Sequence, residues 1–127
     1  MAHFHLITNL KTNTDKYHIG LSLIEFIEDG VTIVYSPALD LSGYGNNETE
    51  AKQSFTEAID EFFRYTSEKN TFDKVLINLG WTINGSEKKL EFNPPKDSDL
   101  VASNSLYNEI VNNKSYKVSR QELEFSL

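Results

Sequence analysis

Between Tyr17 and Ser36 apolar and polar positions alternate, and the alternation changes phase once. Ile19, Leu21 and Leu23 share one parity, whereas Ile24 and Phe26 take the other. A period of two marks a strand with a buried face. A phase change inside it predicts either a β-bulge or a strand covered on both faces. Asp29-Gly30 comes next, the pair best suited to a two-residue hairpin turn, because both positions must accept positive φ. Val31, Ile33 and Tyr35 then alternate with Thr32, Val34 and Ser36. Residues 17–36 therefore predict a β-hairpin, closed near Pro37, which has no backbone N–H to give to a ladder.

The period then changes. Ala51, Phe55, Ala58, Ile59 and Phe62 recur at helical spacing and make one apolar face of a helix over 47–66. Asn47 stands three residues before Glu50, the arrangement of an N-cap with a reciprocal acid. The intervening 37–47 segment carries Pro37, Gly43 and Gly45 and reads as a loop whose glycines are turn residues. Beyond it, Thr71 to Trp81 predicts a second, shorter helix ended by Gly80, with Phe72, Val75, Leu76 and Leu79 inward. Asn84-Gly85 signals a second hairpin turn, Pro94-Pro95 stops the strand, and 96–113 predicts a third helix with Leu100, Val101, Tyr107, Ile110 and Val111 inward. Alternation at Leu123, Phe125 and Leu127 predicts a final strand, and residues 3–10 a first one. The whole predicts an α+β fold: a small antiparallel sheet packed on one main helix, then a helix–hairpin–helix–strand lobe. Residues 1–70 form the ββα lobe and 71–127 the smaller one, packed together as one unit.

The chain has 127 residues, enough for a core without staples, and 39% of them are hydrophobic. It has no cysteine, which removes disulfides, thiolate catalysis and cysteine-based zinc sites, and fits a cytoplasmic setting. No apolar run is long enough for a membrane span or a leader peptide, so the expectation is a soluble protein. The net charge of −7 changes the functional picture more. Nucleic-acid binding draws on a basic face, and here acids outnumber bases by 19 to 12, so direct binding to nucleic acid is not expected. The acids gather at Glu48, Glu50, Glu57, Asp60 and Glu61, on a stretch that suits either a solvated helix face or attraction of a basic partner.

Candidate chemistry is sparse. Ser42 to Asn47 has two glycines but no lysine after them, and no glycine trio at dinucleotide-binding spacing. No serine sits in a nucleophile elbow. The three histidines, His3, His5 and His18, lie near the N-terminus; two on one strand face still need a third ligand, and they read as incidental. Acids at a helix start are explained by the helix dipole. The expectation is a protein that is not an enzyme, with no cofactor, no metal and no catalytic residue.

One longer pattern adds to this. A hairpin, then Pro37, Leu39 and Gly43 in a P-x-L-x-x-x-G loop, then Gly45 and a helix opening with Glu50 and Ala51, resembles the HicB family of antitoxin-like proteins over residues 19–66. The usual Thr at the cap is replaced by Asn47, which accepts the same backbone N–H bonds. The resemblance implies a reduced RNase H-like core without nuclease carboxylates. It also implies a protein partner, a small basic RNA-cleaving toxin of the HicA type. Members often add a DNA-binding motif, and residues 71–127 carry none that is evident. Residues 72–92 have a fainter likeness to the HicA helix and hairpin, with Gly85-Ser86-Glu87 where the toxin has Gly-Ser-His; that implies an inactive binding or packing unit. The expected contact surface comprises Leu39, Asp40, Tyr44, Glu48, Glu50, Glu57, Asp60 and Glu61. A stand-alone homo-oligomer that associates through a strand edge, without a toxin partner, is the alternative.

Overall fold

The computed structural model of the chain describes residues 3–6, 16–86 and 89–126. Its elements run β1 (His3–Leu6), β2 (Lys16–Glu28), β3 (Val31–Ser36), β4 (Leu41–Gly45), α1 (Glu48–Glu68), α2 (Phe72–Asn78), β5 (Thr82–Ser86), β6 (Lys89–Asn93), α3 (Asp97–Ser103), α4 (Ser105–Asn113) and β7 (Lys117–Ser126). Five strands form an antiparallel sheet in the order β1-β7-β2-β3-β4, and β5 and β6 form a separate two-stranded ladder. The fold is α+β.

The β2–β3 hairpin closes at Asp29-Gly30 with φ of 52° and 79°, and Glu28 pairs with Val31. Both turn residues are left-handed, as a turn that follows the strand twist requires. The phase change in β2 is not a bulge. Its pairing with β7 runs without interruption from Lys16↔Ser126 to Glu25↔Lys117, and its pairing with β3 from Ile24 to Glu28. The strand is instead covered on both faces. Ile19, Leu21, Leu23 and Val34 lie buried on the face that carries α1, with Leu123 of β7 beside them. Ile24, Phe26, Ile33 and Tyr35 are buried on the opposite face, where Lys114, at the end of α4, pairs with Glu28 at 3.2 Å. Each half of β2 is thus apolar toward its own cover.

Helix α1 sits on its face through Ala51, Phe55, Ile59, Phe63 and Thr66. Its far end is joined to the rest of the chain by aromatic rings: Phe63 to Phe72 of α2 at 4.9 Å, and Phe72 to Phe92 of β6 at 5.9 Å, both inclined rather than stacked. Trp81 is buried and its Nε1 donates to the Ala38 carbonyl at 2.7 Å, which ties the second half of the chain to the end of the first hairpin.

Three expectations are corrected here. The 37–47 segment is not all loop, since Leu41–Gly45 pairs with β3 as the edge strand β4. Asn84-Gly85 is not the second turn: Asn84 pairs with Glu91 and Gly85 with Leu90 inside the ladder. A turn at 84–85 would set Ile83 opposite Ser86, whereas the observed register sets it opposite Phe92 and buries that ring. The third helix is two, broken at Asn104, whose backbone is extended and whose side chain accepts from the Tyr107 N–H at 3.0 Å. An asparagine competes for backbone groups in this way and so starts helices better than it continues them. The boundary expected at residue 70 falls between α1 and α2, and β7, from the second segment, pairs between β1 and β2 of the first. The three histidines stay outside the described side chains, as does Glu87.

Candidate functional site

The segment from Ser36 to Ala51 is built by local bonds that its residue types supply. The Ser36 hydroxyl accepts from the Leu39 N–H at 3.4 Å and starts the turn. Asp40 takes φ +54°, a conformation that Asp and Asn accept more readily than other side chains. Strand β4 then runs under α1. A methyl group on Gly43 would collide with the Phe55 and Ala51 backbone, and one on Gly45 with the Ala51 N and the Glu50 Cβ. The glycines are therefore not turn residues; they let a helix backbone rest directly on a strand. The Tyr44 N–H donates to the Ser54 hydroxyl at 3.1 Å, so α1 also satisfies part of the sheet edge. Asn47 caps the helix through its Oδ1 and the Glu50 N–H at 2.9 Å. The returning Glu50 carboxylate accepts from Asn46 N at 3.0 Å, one residue earlier than a standard reciprocal cap.

The eight residues expected to make one contact surface are distributed over several. Leu39 is 2% exposed and belongs to the core, so it cannot meet a partner. Its burial is what the turn at Ser36 achieves. Tyr44 is 56% exposed but opposes Ile33, and so points away from α1 on the other face of the sheet. Asp40 is exposed at the β3–β4 turn, bonded to the Tyr35 hydroxyl at 2.7 Å. Glu48 is exposed in the first helical turn and pairs with Lys52 at 2.8 Å. That hydrogen bond and charge hold its carboxyl below the usual range. Only Glu50, Glu57, Asp60 and Glu61 share the outer ridge of α1, with Arg64 paired to Glu61 and Glu68 continuing the ridge. Together these four make an acidic helix ridge.

A second cluster was not expected from the residue pattern. Tyr35 donates its hydroxyl proton to Asp40 and accepts from Asn104 Nδ2 at 2.7 Å, while Asn104 caps α4. One phenol thus joins the sheet, the β3–β4 turn and the C-terminal helices. Burial, and then the bond to Asp40, push its pKa up to about 12, against a smaller opposing effect of Asn104. A raised phenol pKa means that the fold favours the neutral form. Its contribution is complete below the ordinary value near 10 and is lost as pH rises through about 12. Tyr35→Phe should cost about 1–2 kcal/mol at neutral pH, for the lost hydrogen bonds and the stranded Asn104 amide. It should also flatten the loss of stability between those two pH values. Denaturant titrations of both proteins across that range check this, and parallel curves count against it.

Among the described residues no three His, Cys, Asp or Glu side chains gather to hold a metal ion, and no helix is long and apolar enough to cross a membrane. No family model, curated protein or solved structure matches this chain.

Proposed function

We propose that this chain is a non-enzymatic, HicB-like protein of the cytoplasm that works by binding another protein, a small basic one of the RNA-cleaving toxin type. The observation that carries the reading is the acidic outer ridge of α1, with Glu50, Glu57 and Glu61 all exposed. A net charge of −7 favours a basic partner at longer range. The residues of the family-like pattern also have coherent physical roles. Leu39 fills the core, Gly43 and Gly45 admit the helix, and Ala51 is small where the helix meets them.

The test is capture from the source cell at low salt, in parallel with a Glu57→Lys, Glu61→Lys variant. Wild type should recover a small basic protein. Charge reversal on the ridge should weaken that complex by about tenfold or more, with the smallest difference at high salt. If wild type recovers no basic partner, the reading fails.

A second reading keeps the fold and drops the partner. Strand β1 pairs with β7 on one side and stands at the end of the sheet, so a second copy can extend the ladder there. Sedimentation decides: a monomer at all concentrations removes self-association.

A further inference from the structure

On the sheet face opposite α1, the half of β2 that bears Ile24 and Phe26 is covered, and Gly20 and Ser22 precede them on the same face. Those two small residues floor a cleft of about 180 Å³. Its walls are Pro37 from the β3–β4 turn, Pro94 and Pro95 before α3, and Asp97 from the start of α3. Arg120 of β7, directly opposite Ser22, lies across the floor. A methyl group built on Gly20 would stand 2.8 Å from the Arg120 Cζ, so the guanidinium packs directly over the glycine. The Arg120 Nε donates to Glu122 Oε1 at 3.2 Å, and Glu122, opposite Gly20, brings that carboxylate over the same glycine.

We infer that this cleft binds a compact zwitterion of the α-amino acid class, its carboxylate on Arg120 and its ammonium on the Asp97 side. Four features select that chemistry. A guanidinium held through Nε keeps its remaining N–H groups for a carboxylate, which it can meet with two parallel bonds. Asp97 lines the same cleft and accepts a cation, so a ligand with both charges suits the two side chains together. The net charge of −7 repels simple anions, whereas a zwitterion carries no net charge into that field. The three prolines give a rigid apolar wall with no N–H groups to satisfy, suited to a short aliphatic side chain. A volume of about 180 Å³ accommodates a small amino acid.

The single Trp supplies a reporter, since its indole N–H is bonded to the carbonyl of Ala38, which also lines the cleft. Nitrogen–proton correlation spectra of the full chain would be recorded during titration with L-alanine, L-valine and L-proline, with acetate and methylammonium as single-charge controls. Saturable shifts are expected at Gly20, Ser22, Asp97 and the Trp81 indole, with a dissociation constant on the order of millimolar for so few atoms. The controls should give at most a tenth of that affinity. An N-acetylated amino acid amide, which has neither charge, should give no response; a free dipeptide that binds as well as the amino acid would identify a chain terminus as the source. Arg120→Gln and Asp97→Asn, both at exposed positions, should each weaken binding tenfold or more while leaving the rest of the spectrum in place. Shifts that do not saturate, or that persist equally in Arg120→Gln, overturn the assignment.

Discussion

A chain that ends at Tyr116 should lose its cooperative unfolding transition. β7 is a ten-residue strand in the interior of the sheet, not an appendage at its edge. It pairs with β2 from Lys117 to Ser126 on one side and with β1 from Leu123 to Ser126 on the other. Removing it leaves β1 without a neighbour and opens the long edge of β2 to solvent. It also removes Leu123, which is fully buried under α1 beside Ile19. Each ladder hydrogen bond contributes about 1 kcal/mol and a buried leucine about 2 kcal/mol, so a whole central strand exceeds the usual 5–15 kcal/mol margin of a domain. Urea titration followed by circular dichroism checks this. A sigmoidal transition in the truncated chain would show that the preceding residues fold alone and that β7 is dispensable.

That strand marks where the sequence was legible and where it was not. The hairpin over β2 and β3, the cap at Asn47 and the apolar stripe of α1 each depend on residues close together in the chain. Their local patterns gave the hairpin, the cap and, of the stripe, Ala51, Phe55 and Ile59; the ring that α1 buries farther on is Phe63, with Phe62 half-buried. The phase change at Leu23-Ile24 also told the truth about two covers, though it did not separate that option from a bulge. The insertion of β7 is a pairing of the last residues with the first ones, and an alternating run has the same pattern whichever neighbour it finds. The Asn84-Gly85 signal failed for a related reason. A turn-prone pair is weaker than the register that places Ile83 opposite Phe92.

The candidate site was legible in charge but not in placement. The acids of α1 follow the helical period, so Glu50, Glu57, Asp60 and Glu61 fall on one ridge, as the wheel requires. Leu39, Asp40 and Tyr44 lie in a segment whose direction alternates with strand pairing, and no helical period governs it. Strand β4 sends Tyr44 to the far face because its neighbours Gly43 and Gly45 face the helix. Tyr35 gave no signal at all, since an alternating aromatic in a strand does not announce that its hydroxyl joins Asp40 to Asn104. The same holds for the cleft over Gly20 and Ser22. Small residues in a strand look like weakness until the wall opposite them is known.

Gly43→Ala should destabilise the protein by about 3 kcal/mol, the upper end for overpacking, because the colliding atoms cannot step aside. An added Cβ would stand 2.6 Å from the Phe55 Cα and as close to the Ala51 carbonyl oxygen, all of them main chain in the middle of α1. Relief requires lifting the helix from β4, which breaks the Tyr44-to-Ser54 bond and loosens Ala51 and Phe55 in the core. The backbone angle at Gly43 is not the obstacle, since it is absent from the positive-φ residues. Gly30→Ala provides the contrast. Its φ is +79° and nothing lies within 4 Å of a new methyl, so that change should cost only the roughly 1 kcal/mol of a left-handed alanine. The two alanines therefore separate steric exclusion from backbone strain. Thermal or urea unfolding gives the comparison, and equal losses at the two positions would mean that α1 does not rest on β4 through its glycines. The substitution has a functional arm as well. If the ridge is the contact surface proposed above, a lifted helix displaces it, and a Gly43→Ala protein that stays folded should bind the proposed basic partner more weakly, although no acid has been changed.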